Sequence, residues 1–304
     1  MQVTRAIVPA AGMGTRLYPV TKSQPKEMLP LGTRPVIQGV AEEAVAAGIS
    51  DMLIITGTGK GAIEEHFDPE AGLSPEEAPE NGPPAIDPSS IQFYYTRQAE
   101  KRGLGDAISY GAKFASGEHF AVLLGDCVIE GTEAGGPLKR LVEAHIAHEA
   151  QISIVLQYVD LEATRRYGII APGPILDEDI FEMADIVEKP GPQETPGRFA
   201  VAARYVFSPV LFEYITGLAP GVGGEIQLTD AIRAMLRDGH RGIGVPLREG
   251  ERRLDVGNFE SYSRAFFRAM ICDESYGEDL RGYAKKLLVH LDDPSQADPD
   301  IVER

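Results

Sequence analysis

The chain has 304 residues, 43% of them hydrophobic, which is enough to bury a large core as one big domain or as a domain with an appendage. Its 46 acidic residues outnumber its 29 basic residues, and the net charge of −17 disfavours nucleic acid or an anionic membrane surface as a partner. No apolar run is long enough for a membrane span or a secretory signal, and two cysteines provide no disulfide framework, so we expect a cytoplasmic location.

Over the first half of the chain, short apolar runs alternate with helical patterns. Strands are predicted at residues 6–9, 52–56, 91–95, 120–124 and 152–158, and helices at residues 35–47, 61–67, 104–115 and 137–149. Because this alternation is typical of strands joined by crossover helices, it predicts an α/β fold with a mixed, mostly parallel central sheet and helices on both faces.

The pattern changes after residue 158, where the predicted strands become shorter. These strands are residues 168–170, 186–188 and 200–206, and the later helices are residues 225–237, 259–272 and 280–291. The second half therefore reads as a smaller α+β part. Ligands are expected at the carboxyl ends of the strands, as in other open α/β sheets.

The segment that follows the first predicted strand carries two glycines and fixed cations. Gly12 and Gly14 can adopt backbone angles that are closed to other residues, so successive N–H groups can converge on an anion. Arg16 adds a planar fork of donors, and Lys26 adds a compact point charge. A glycine turn with two cations after a first strand indicates a nucleoside triphosphate and chemistry at its phosphates.

Two better-known phosphate-binding loops do not fit this chain. The dinucleotide-binding fingerprint requires a third glycine where Leu17 stands, and the prolines that follow disfavour its helix. Residues 57–61 lack the first glycine of a P-loop and the Ser or Thr that follows its lysine. The alternative is that residues 12–30 form only a proline-rich surface loop. Loops of this length are usually functional or disordered, and the apolar Met28 and Leu29 disfavour disorder.

Two carboxylates are candidate ligands of one Mg²⁺ ion. Asp126 follows the predicted strand 120–124, whose carboxyl end would deliver it to the crevice, although an acid at such a place can also cap a helix or a turn. Asp255 ends a second strand-like run and precedes Gly257. Since Mg²⁺ is usually bound by one or two carboxylates together with substrate phosphates, these two residues could share the ion.

Other conspicuous residues are interpreted as structural. Residues 68–90 contain six prolines, six acidic residues and no lysine or arginine, which predicts a solvated loop, and the acidic residues 292–304 are expected to fray. His145 and His148 lie three apart on a predicted helix and are expected to be solvated. Cys127 is expected to be a small residue that faces the core.

The segment Gly-x-Gly-Thr-Arg-x-x-Pro-x-Thr-Lys-x-x-Pro-Lys-Glu-Met-Leu-Pro, residues 12–30, resembles the signature of the bacterial-type sugar-1-phosphate nucleotidylyltransferases. Further segments match in the family's order, as far as about residue 270. They are residues 48–51, Gln98 with 103–105, 124–126, 167–168, 188–190, 224–230 and 255–258. So many matches in one order make chance a poor explanation, and the match favours the branch of the family that transfers uridylyl groups.

The resemblance implies a Rossmann-like, glycosyltransferase-A-like fold in which residues 1–270 form the nucleotidyltransferase domain. Its nucleotide-binding half would span about residues 1–158 and its sugar-phosphate half about residues 159–270. A C-terminal helix and acidic tail would occupy residues 271–304. The family usually carries a longer, charged helical insertion in the place of the acidic segment, so the role of that insertion does not transfer. Because the family commonly forms dimers or tetramers, we expect a homo-oligomer.

The resemblance also implies roles for particular residues. Arg16 and Lys26 would be catalytic, and Asp126 and Asp255 would bind Mg²⁺. The other expected site residues are Ala10, Ala11, Gly12, Gly14, Thr15, Gln98 and Gly103 for the nucleotide, and Gly168, Glu188 and Lys189 for the sugar phosphate. Gln98 suits the pyrimidine edge because an amide offers both a donor and an acceptor. Without the resemblance, Glu188 and Lys189 would be interpreted as an exposed charge pair, and Glu225 as an acid in the first turn of a helix.

The expected reaction converts UTP and glucose 1-phosphate into UDP-glucose and pyrophosphate. A sugar phosphate is already mostly a dianion at neutral pH and needs no general base, so catalysis is expected to consist of positioning and charge neutralisation. Two alternatives remain, which are dTTP as the donor and a catalytically silent regulatory subunit that binds nucleotide sugars. The presence of Arg16, Lys26, Asp126 and Asp255 argues against a silent subunit, which would be free to lose them.

Overall fold

The computed structural model describes residues 2–68, 90–131, 133, 135–221 and 224–293. Residues 69–89 of the expected acidic loop, and the expected tail from residue 294, lie outside this range. Strands alternate with helices through the first half, and the described chain ends in two helices that contact each other. Within the described residues, no helix is both long enough and apolar enough to cross a membrane.

The elements are named in chain order. The strands are β1 (Arg5–Pro9), β2 (Pro30–Leu31), β3 (Arg34–Pro35), β4 (Asp51–Thr56), β5 (Gln92–Arg97), β6 (Phe120–Leu123), β7 (Cys127–Glu130), β8 (Ile152–Tyr158), β9 (Gly168–Asp177), β10 (Ile180–Glu188), β11 (Phe199–Phe207), β12 (Gly242–Pro246) and β13 (Arg252–Asp255). The helices are α1 (Val36–Ala46), α2 (Gly61–His66), α3 (Leu104–Ser109), α4 (Ala112–Ala115), α5 (Gly136–Ala147), α6 (Leu211–Gly217), α7 (Leu228–Arg237), α8 (Phe259–Ile271) and α9 (Gly277–Asp292).

In the described part of the chain, nine strands form one sheet in the order β5-β4-β1-β6-β11-β8-β12-β10-β9. Seven of these strands run in the direction of β1, whereas β10 and β11 run the opposite way. The mixed, mostly parallel sheet expected from the sequence is therefore confirmed. Since β1, β4, β5 and β6 are parallel neighbours, their carboxyl ends meet at one edge, which is where such sheets bind ligands.

Helices cover both faces of this sheet because successive strand residues point to opposite sides. In β1, Ala6 and Val8 belong to a core shared with α1 and α5, whereas Ile7 belongs to a second core shared with α3, α4, α6 and α7. All three side chains are fully buried. A strand that is buried on both faces appears in the sequence as a continuous apolar run. This explains why the predicted bounds of the central strands lie within two residues of the observed ones.

Several elements were not predicted from the sequence. They are the hairpin β2–β3, the short strands β7 and β12, and helix α6. The predicted helix over residues 104–115 divides into α3 and α4 on either side of Gly111. At Gly111 an added Cβ would lie 2.3 Å from Cδ1 of Ile7, so the break lies where the chain approaches β1 too closely for a side chain.

A second, two-stranded sheet joins β7 to β13 beside the carboxyl edge. Its register pairs Asp255 with Cys127, and the backbone N–H of Val256 donates to the carbonyl of Asp126 at 3.2 Å. Helix α8 begins directly afterwards, where the side chain of Asn258 caps its first turn. The two candidate metal ligands, distant in sequence, therefore become neighbours through this small sheet.

The expectation that His145 is solvated is wrong. Its ring is fully buried, with Nε2 2.7 Å from Nδ1 of His119 and Nδ1 2.7 Å from Oγ of Ser153. Burial, together with the neighbouring His119, lowers the pKa of His145 to about 3, so its ring is neutral. Among the described residues, no three His, Cys, Asp or Glu side chains gather as a metal centre. The expectation for Cys127 is confirmed, since its side chain is buried.

Candidate active site

The loop after β1 follows the carboxyl edge of the sheet. The N–H of Ala10 donates to the carbonyl of Ile55 in β4 at 2.9 Å. Gly14 has a φ of +63°, and an added Cβ would lie 2.9 Å from Cγ2 of Thr21. The hydroxyl of Thr21 donates back to the carbonyl of Gly14 at 2.8 Å, so this turn requires glycine. Further along, the loop forms the one-turn 3-10 helices Thr15–Leu17, Val20–Lys22 and Lys26–Met28.

Lys26 and Asp126 meet in a cleft at this edge. The Nζ atom of Lys26 donates to Oδ2 of Asp126 at 2.5 Å, and the two side chains are 17% and 20% exposed. Burial disfavours charge on both groups, but their pairing outweighs it. Asp126 and Glu27 raise the pKa of Lys26, and Lys26 and Arg253 lower the pKa of Asp126. The cleft therefore holds a charged ammonium and a charged carboxylate side by side.

A second ion pair, which the sequence analysis missed, lies next to the first. The Nζ atom of Lys60 donates to Oε2 of Glu27 at 2.6 Å, and the two side chains are only 5% and 1% exposed. Burial raises the pKa of Glu27 and lowers the pKa of Lys60, against the effect of their pairing. Lys60 belongs to residues 57–61, which do not match a P-loop. It contacts Glu27, the residue that follows Lys26. Because it follows the carboxyl end of β4, its place near the cleft could have been suspected.

Asp255 ends β13, and its carboxylate is held by three donors. Its Oδ1 accepts from Nη2 of Arg253 at 2.9 Å, and its Oδ2 accepts from the N–H of Gly257 and the hydroxyl of Ser261, both at 3.3 Å. The exposed Arg16 reaches the same place, since its Nη2 lies 3.4 Å from where a Cβ on Gly257 would be. The structure therefore brings Arg16 from the first loop to the end of β13.

Gln98 and Gly103 line the cleft from the segment that follows β5. The Nε2 atom of Gln98 donates to Oδ2 of Asp106 at 2.7 Å and to the carbonyl of Gly103 at 3.4 Å, and these contacts orient the buried amide. Gly103 has a φ of +106°, and an added Cβ would lie 2.7 Å from the carbonyl oxygen of Ile226. Only glycine fits at this position.

The chain before α7 also belongs to the cleft. The N–H of Ile226 donates to the carbonyl of Arg102 at 2.7 Å, and the carbonyl of Ile226 accepts from Gly105 at 2.9 Å. This pairing holds the segment in an extended form, so α7 begins at Leu228, three residues later than predicted. As a result Glu225 lines the cleft. The sequence analysis interpreted Glu225 as an acid in the first turn of a helix, although the matching segment 224–230 includes it.

The expected sugar-phosphate residues gather where β9 begins and β10 ends. Gly168 pairs with Glu188 in the antiparallel register. The Oε2 atom of Glu188 accepts from the hydroxyl of Thr229 at 2.6 Å, and its Oε1 lies 2.8 Å from Nζ of Lys189. Lys189 has a left-handed φ of +47°, which is uncommon for a residue with a side chain, and its side chain is 55% exposed. The carboxylate is thus fixed, whereas the ammonium faces solvent.

The cleft has a volume of about 370 Å³. The expected residues that line it are Ala11, Gly12, Lys26, Gln98, Gly103 and Asp126. It is also lined by Pro9, Met13, Glu27, Lys101, Leu104, Ala107, Leu124 and Glu225. The expected residues that do not line it are Ala10, Gly14, Thr15, Arg16, Gly168, Glu188, Lys189 and Asp255. The cleft therefore brings the first loop together with Gln98, and Gly168, Glu188 and Lys189 at the β9–β10 end do not line it.

A sequence model of the nucleotidyl transferase family matches residues 5–270, so the chain belongs to this family. UTP–glucose-1-phosphate uridylyltransferase 2 of Staphylococcus saprophyticus is 39% identical over 292 residues, which cover 94% of this chain and 98% of that protein. The structure of a UDP-glucose pyrophosphorylase complexed with UDP-glucose is similar with a TM-score of 0.76 at 33% identity, covering 94% of this chain and 100% of the other. A UTP-bound UGPase from Acinetobacter baumannii gives a TM-score of 0.80 at 26% identity, covering the same shares. The expected family and fold class are confirmed.

Enzymes of this family generally use a divalent metal, and Asp126 in the cleft and Asp255 at the end of β13 have suitable chemistry. The lowered pKa of Asp126 keeps it ionised, and Asp255 pairs in the β7–β13 register with Cys127, the residue after Asp126. In the described part of the chain no third acidic, histidine or cysteine side chain joins them. This donor set suits Mg²⁺, which protein carboxylates usually share with substrate phosphates and water.

Proposed function

We propose that the protein transfers a uridylyl group from UTP to α-D-glucose 1-phosphate, with UDP-glucose and pyrophosphate as products. The observation that carries this proposal is the cleft at the carboxyl ends of parallel strands, where the glycine loop, Lys26 and Asp126 meet Gln98. Similarity to named uridylyltransferases over nearly the whole chain supports it. The alternative donor dTTP has less support, because the similar proteins described above are uridylyl enzymes.

In this proposal the first loop binds the nucleotide. Its residues that do so are Ala10, Ala11, Gly12, Gly14 and Thr15, and Gln98 and Gly103 join them from the segment after β5. Backbone N–H groups of the glycine turn bind the triphosphate, while the oriented amide of Gln98 and the backbone of Gly103 bind the pyrimidine edge. Arg16 and Lys26 neutralise the charge that develops on the phosphates as pyrophosphate departs.

The second substrate binds at the end of β10. Glu188, fixed by Thr229, accepts hydrogen bonds from two sugar hydroxyls beside Gly168, and Lys189 pairs with the phosphate. The phosphate dianion attacks the α-phosphorus in line with the leaving pyrophosphate, and no proton has to be removed first. The chain therefore contributes orientation and positive charge and forms no covalent intermediate.

Asp126 and Asp255 are proposed to hold the metal, which we take to be Mg²⁺. When bound, Mg²⁺ supplies positive charge to the phosphate oxygens. Lys26 contacts Asp126, and Arg16 lies near Asp255, so the chain's own cations stand beside both carboxylates. This alternation of charges allows the site to gather two polyanions in a protein whose net charge is strongly negative.

The wider organisation is also proposed. Residues 1–270 would be the catalytic domain, with a nucleotide half to about residue 158, and residues 271–304 an appendage. A cytoplasmic location is supported by two free cysteines, one of them exposed. A homo-oligomer, dimer or tetramer, is supported by the exposed apolar side chains of Phe267 and Leu288 on the last two helices. A monomer in sedimentation velocity would contradict the oligomer.

The donor preference is the first test of the proposed function. We expect UTP to give a higher kcat/KM than dTTP, and ATP and GTP to be poor, because the oriented amide of Gln98 suits a pyrimidine edge. The measurement is pyrophosphate release over a grid of nucleoside triphosphates and sugar 1-phosphates. A grid in which a purine nucleotide is best would contradict the assignment of Gln98.

Replacement of Lys189 should act on the sugar phosphate. We expect Lys189→Ala to raise KM for glucose 1-phosphate much more than KM for UTP, and to lower kcat if the lysine also aligns the nucleophile. Steady-state kinetics with each substrate varied in turn gives both constants. Lys286→Ala, a change of an exposed lysine on α9, is the matched control. Weaker UTP binding with unchanged glucose 1-phosphate binding would contradict the proposed role of Lys189. Glu188 and Lys189 would then be interpreted as a surface ion pair.

A further inference from the structure

We infer that Arg253 is a positioning residue of this site, which couples the two proposed metal ligands to the start of the sugar-phosphate strand. The inference rests on the proposed function. Arg253 lies in the middle of β13, and its side chain is only 10% exposed. Nothing in its sequence context distinguishes it from Arg252 beside it.

The first contacts of Arg253 reach both carboxylate segments. Its Nη2 donates to Oδ1 of Asp255 at 2.9 Å, and its Nε donates to Sγ of Cys127 at 3.2 Å. Cys127 directly follows Asp126, so one guanidinium contacts one proposed metal ligand and the residue next to the other. The β7–β13 pairing sets the spacing of the two backbones, and this one rigid group links side chains of both segments.

The third contact of Arg253 reaches the sugar side. The central carbon of its guanidinium lies 5.0 Å from the centre of the Tyr167 ring, within the range of a cation–π contact. Tyr167 directly precedes Gly168, and its carbonyl accepts from the N–H of Lys189 at 2.9 Å. A displacement of Arg253 would thus disturb the place where glucose 1-phosphate is proposed to bind.

A lysine cannot reproduce this arrangement. The guanidinium is planar and presents donors in a fixed fork while its face stacks on an aromatic ring, whereas an ammonium is a point charge on a flexible stem. Arg253 uses Nε, Nη2 and its face at the same time. The site therefore requires the planar shape of this side chain as well as its positive charge.

A second arginine, Arg204, contacts the same residue Cys127, but from the core. Arg204 is fully buried and donates through Nη2 to the carbonyl of Cys127 at 2.9 Å. It is held by Glu43, whose Oε2 accepts from the same Nη2 at 2.6 Å. Arg204 thus fixes the backbone from the core side. Arg253 contacts the sulfur atom of Cys127 together with Asp255 and Tyr167. Replacement of Arg253 is therefore expected to affect substrate and metal binding more than the stability of the fold.

The test measures metal binding without turnover. Mn²⁺ stands in for Mg²⁺, and its binding to the full-length protein in the presence of α,β-methylene-UTP is followed by electron paramagnetic resonance. We expect Arg253→Gln to weaken Mn²⁺ binding by about 10–100-fold, as for other residues that orient metal ligands, and Arg253→Lys to recover only part of the loss. Arg252→Gln, a change of the exposed neighbour on the other face of β13, should leave binding unchanged.

Kinetics supply a second measurement. We expect KM for glucose 1-phosphate to rise in both Arg253 variants, while the affinity for α,β-methylene-UTP without metal stays as in Arg252→Gln. Thermal unfolding checks each variant, and Arg253→Lys, which keeps the charge, decides the test if Arg253→Gln does not fold. Mn²⁺ binding equal to that of Arg252→Gln in the folded variants would overturn the inference. Failure of the unmodified enzyme to form UDP-glucose would instead contradict the proposed function.

Discussion

Asp126→Asn is expected to lower kcat by roughly 10³-fold or more, since Asp126 is proposed to hold the metal ion, and such an ion supplies several kcal/mol of charge stabilisation in the transition state. Asparagine keeps the shape of the side chain but removes the charge that lies 2.5 Å from Nζ of Lys26. Pyrophosphate release at saturating UTP and glucose 1-phosphate measures the loss. Treatment of the unmodified enzyme with EDTA should have a comparable effect, and added Mg²⁺ should reverse it.

The control for this change is Asp51→Asn. Asp51 begins β4 at the amino end of the strand, at the opposite edge of the sheet from the cleft, and accepts from Ser50 at 2.7 Å. We expect the activity of Asp51→Asn to match that of the unmodified enzyme. Circular dichroism should show that both variants fold. Full activity in the presence of EDTA would rule out the metal mechanism, and full activity of Asp126→Asn would remove Asp126 from the site.

Arg16→Ala is expected to lower kcat by about 10²–10³-fold, by analogy with the loss of one preorganised donor to a developing anion. Arg16 is exposed and lies near Gly257, just after β13. Its guanidinium is proposed to neutralise the negative charge that develops on the departing pyrophosphate. Since this interaction should strengthen in the transition state, KM for UTP should change less than kcat. Arg16→Lys should restore only part of the rate, because an ammonium lacks the bidentate fork.

Arg264→Ala provides the comparison for Arg16. Arg264 is 80% exposed on α8, where it pairs with Glu260, so its removal takes away one positive charge without touching the cleft. Steady-state kinetics of Arg16→Ala, Arg16→Lys and Arg264→Ala, with UTP and glucose 1-phosphate varied in turn, separate the effects. If Arg16→Ala raises KM for UTP at unchanged kcat, Arg16 contributes uniform binding and has no role specific to the transition state.

The central sheet could be predicted from the sequence because of where its strands lie. β1, β4, β6 and β8 are buried on both faces over most of their length, so most of their side chains are apolar and stand out against the helices between them. β12 was missed although it is buried, because its glycines interrupt the apolar run, and β7 was missed because it is only partly buried. β7 has only four residues, pairs with β13 far along the chain and alternates buried with half-buried positions. A short strand with a distant partner leaves little local pattern.

Much of the candidate site could also be predicted, because the loop chemistry is local. The turn at Gly14 requires glycine for reasons that lie within seven residues of it, and the cations Arg16 and Lys26 follow in the same segment. The roles assigned to these residues stay predictions until the kinetics above are measured. Lys60 was missed and Glu225 was interpreted as a helix first-turn acid, since the contacts of both depend on packing between segments and not on a pattern within one.

The sequence by itself therefore determined the family, the alternation of strands and helices, and the composition of the first loop, all of which depend on residues close together in the chain. Only the tertiary structure decided which distant side chains meet. It placed Asp255 beside Asp126 through a two-stranded sheet, buried His145 against Ser153, and put Arg253 between both carboxylate segments and Tyr167. Such contacts are set by how strands pair and helices pack, and an isolated arginine or histidine in a sequence carries no record of the partner it will find.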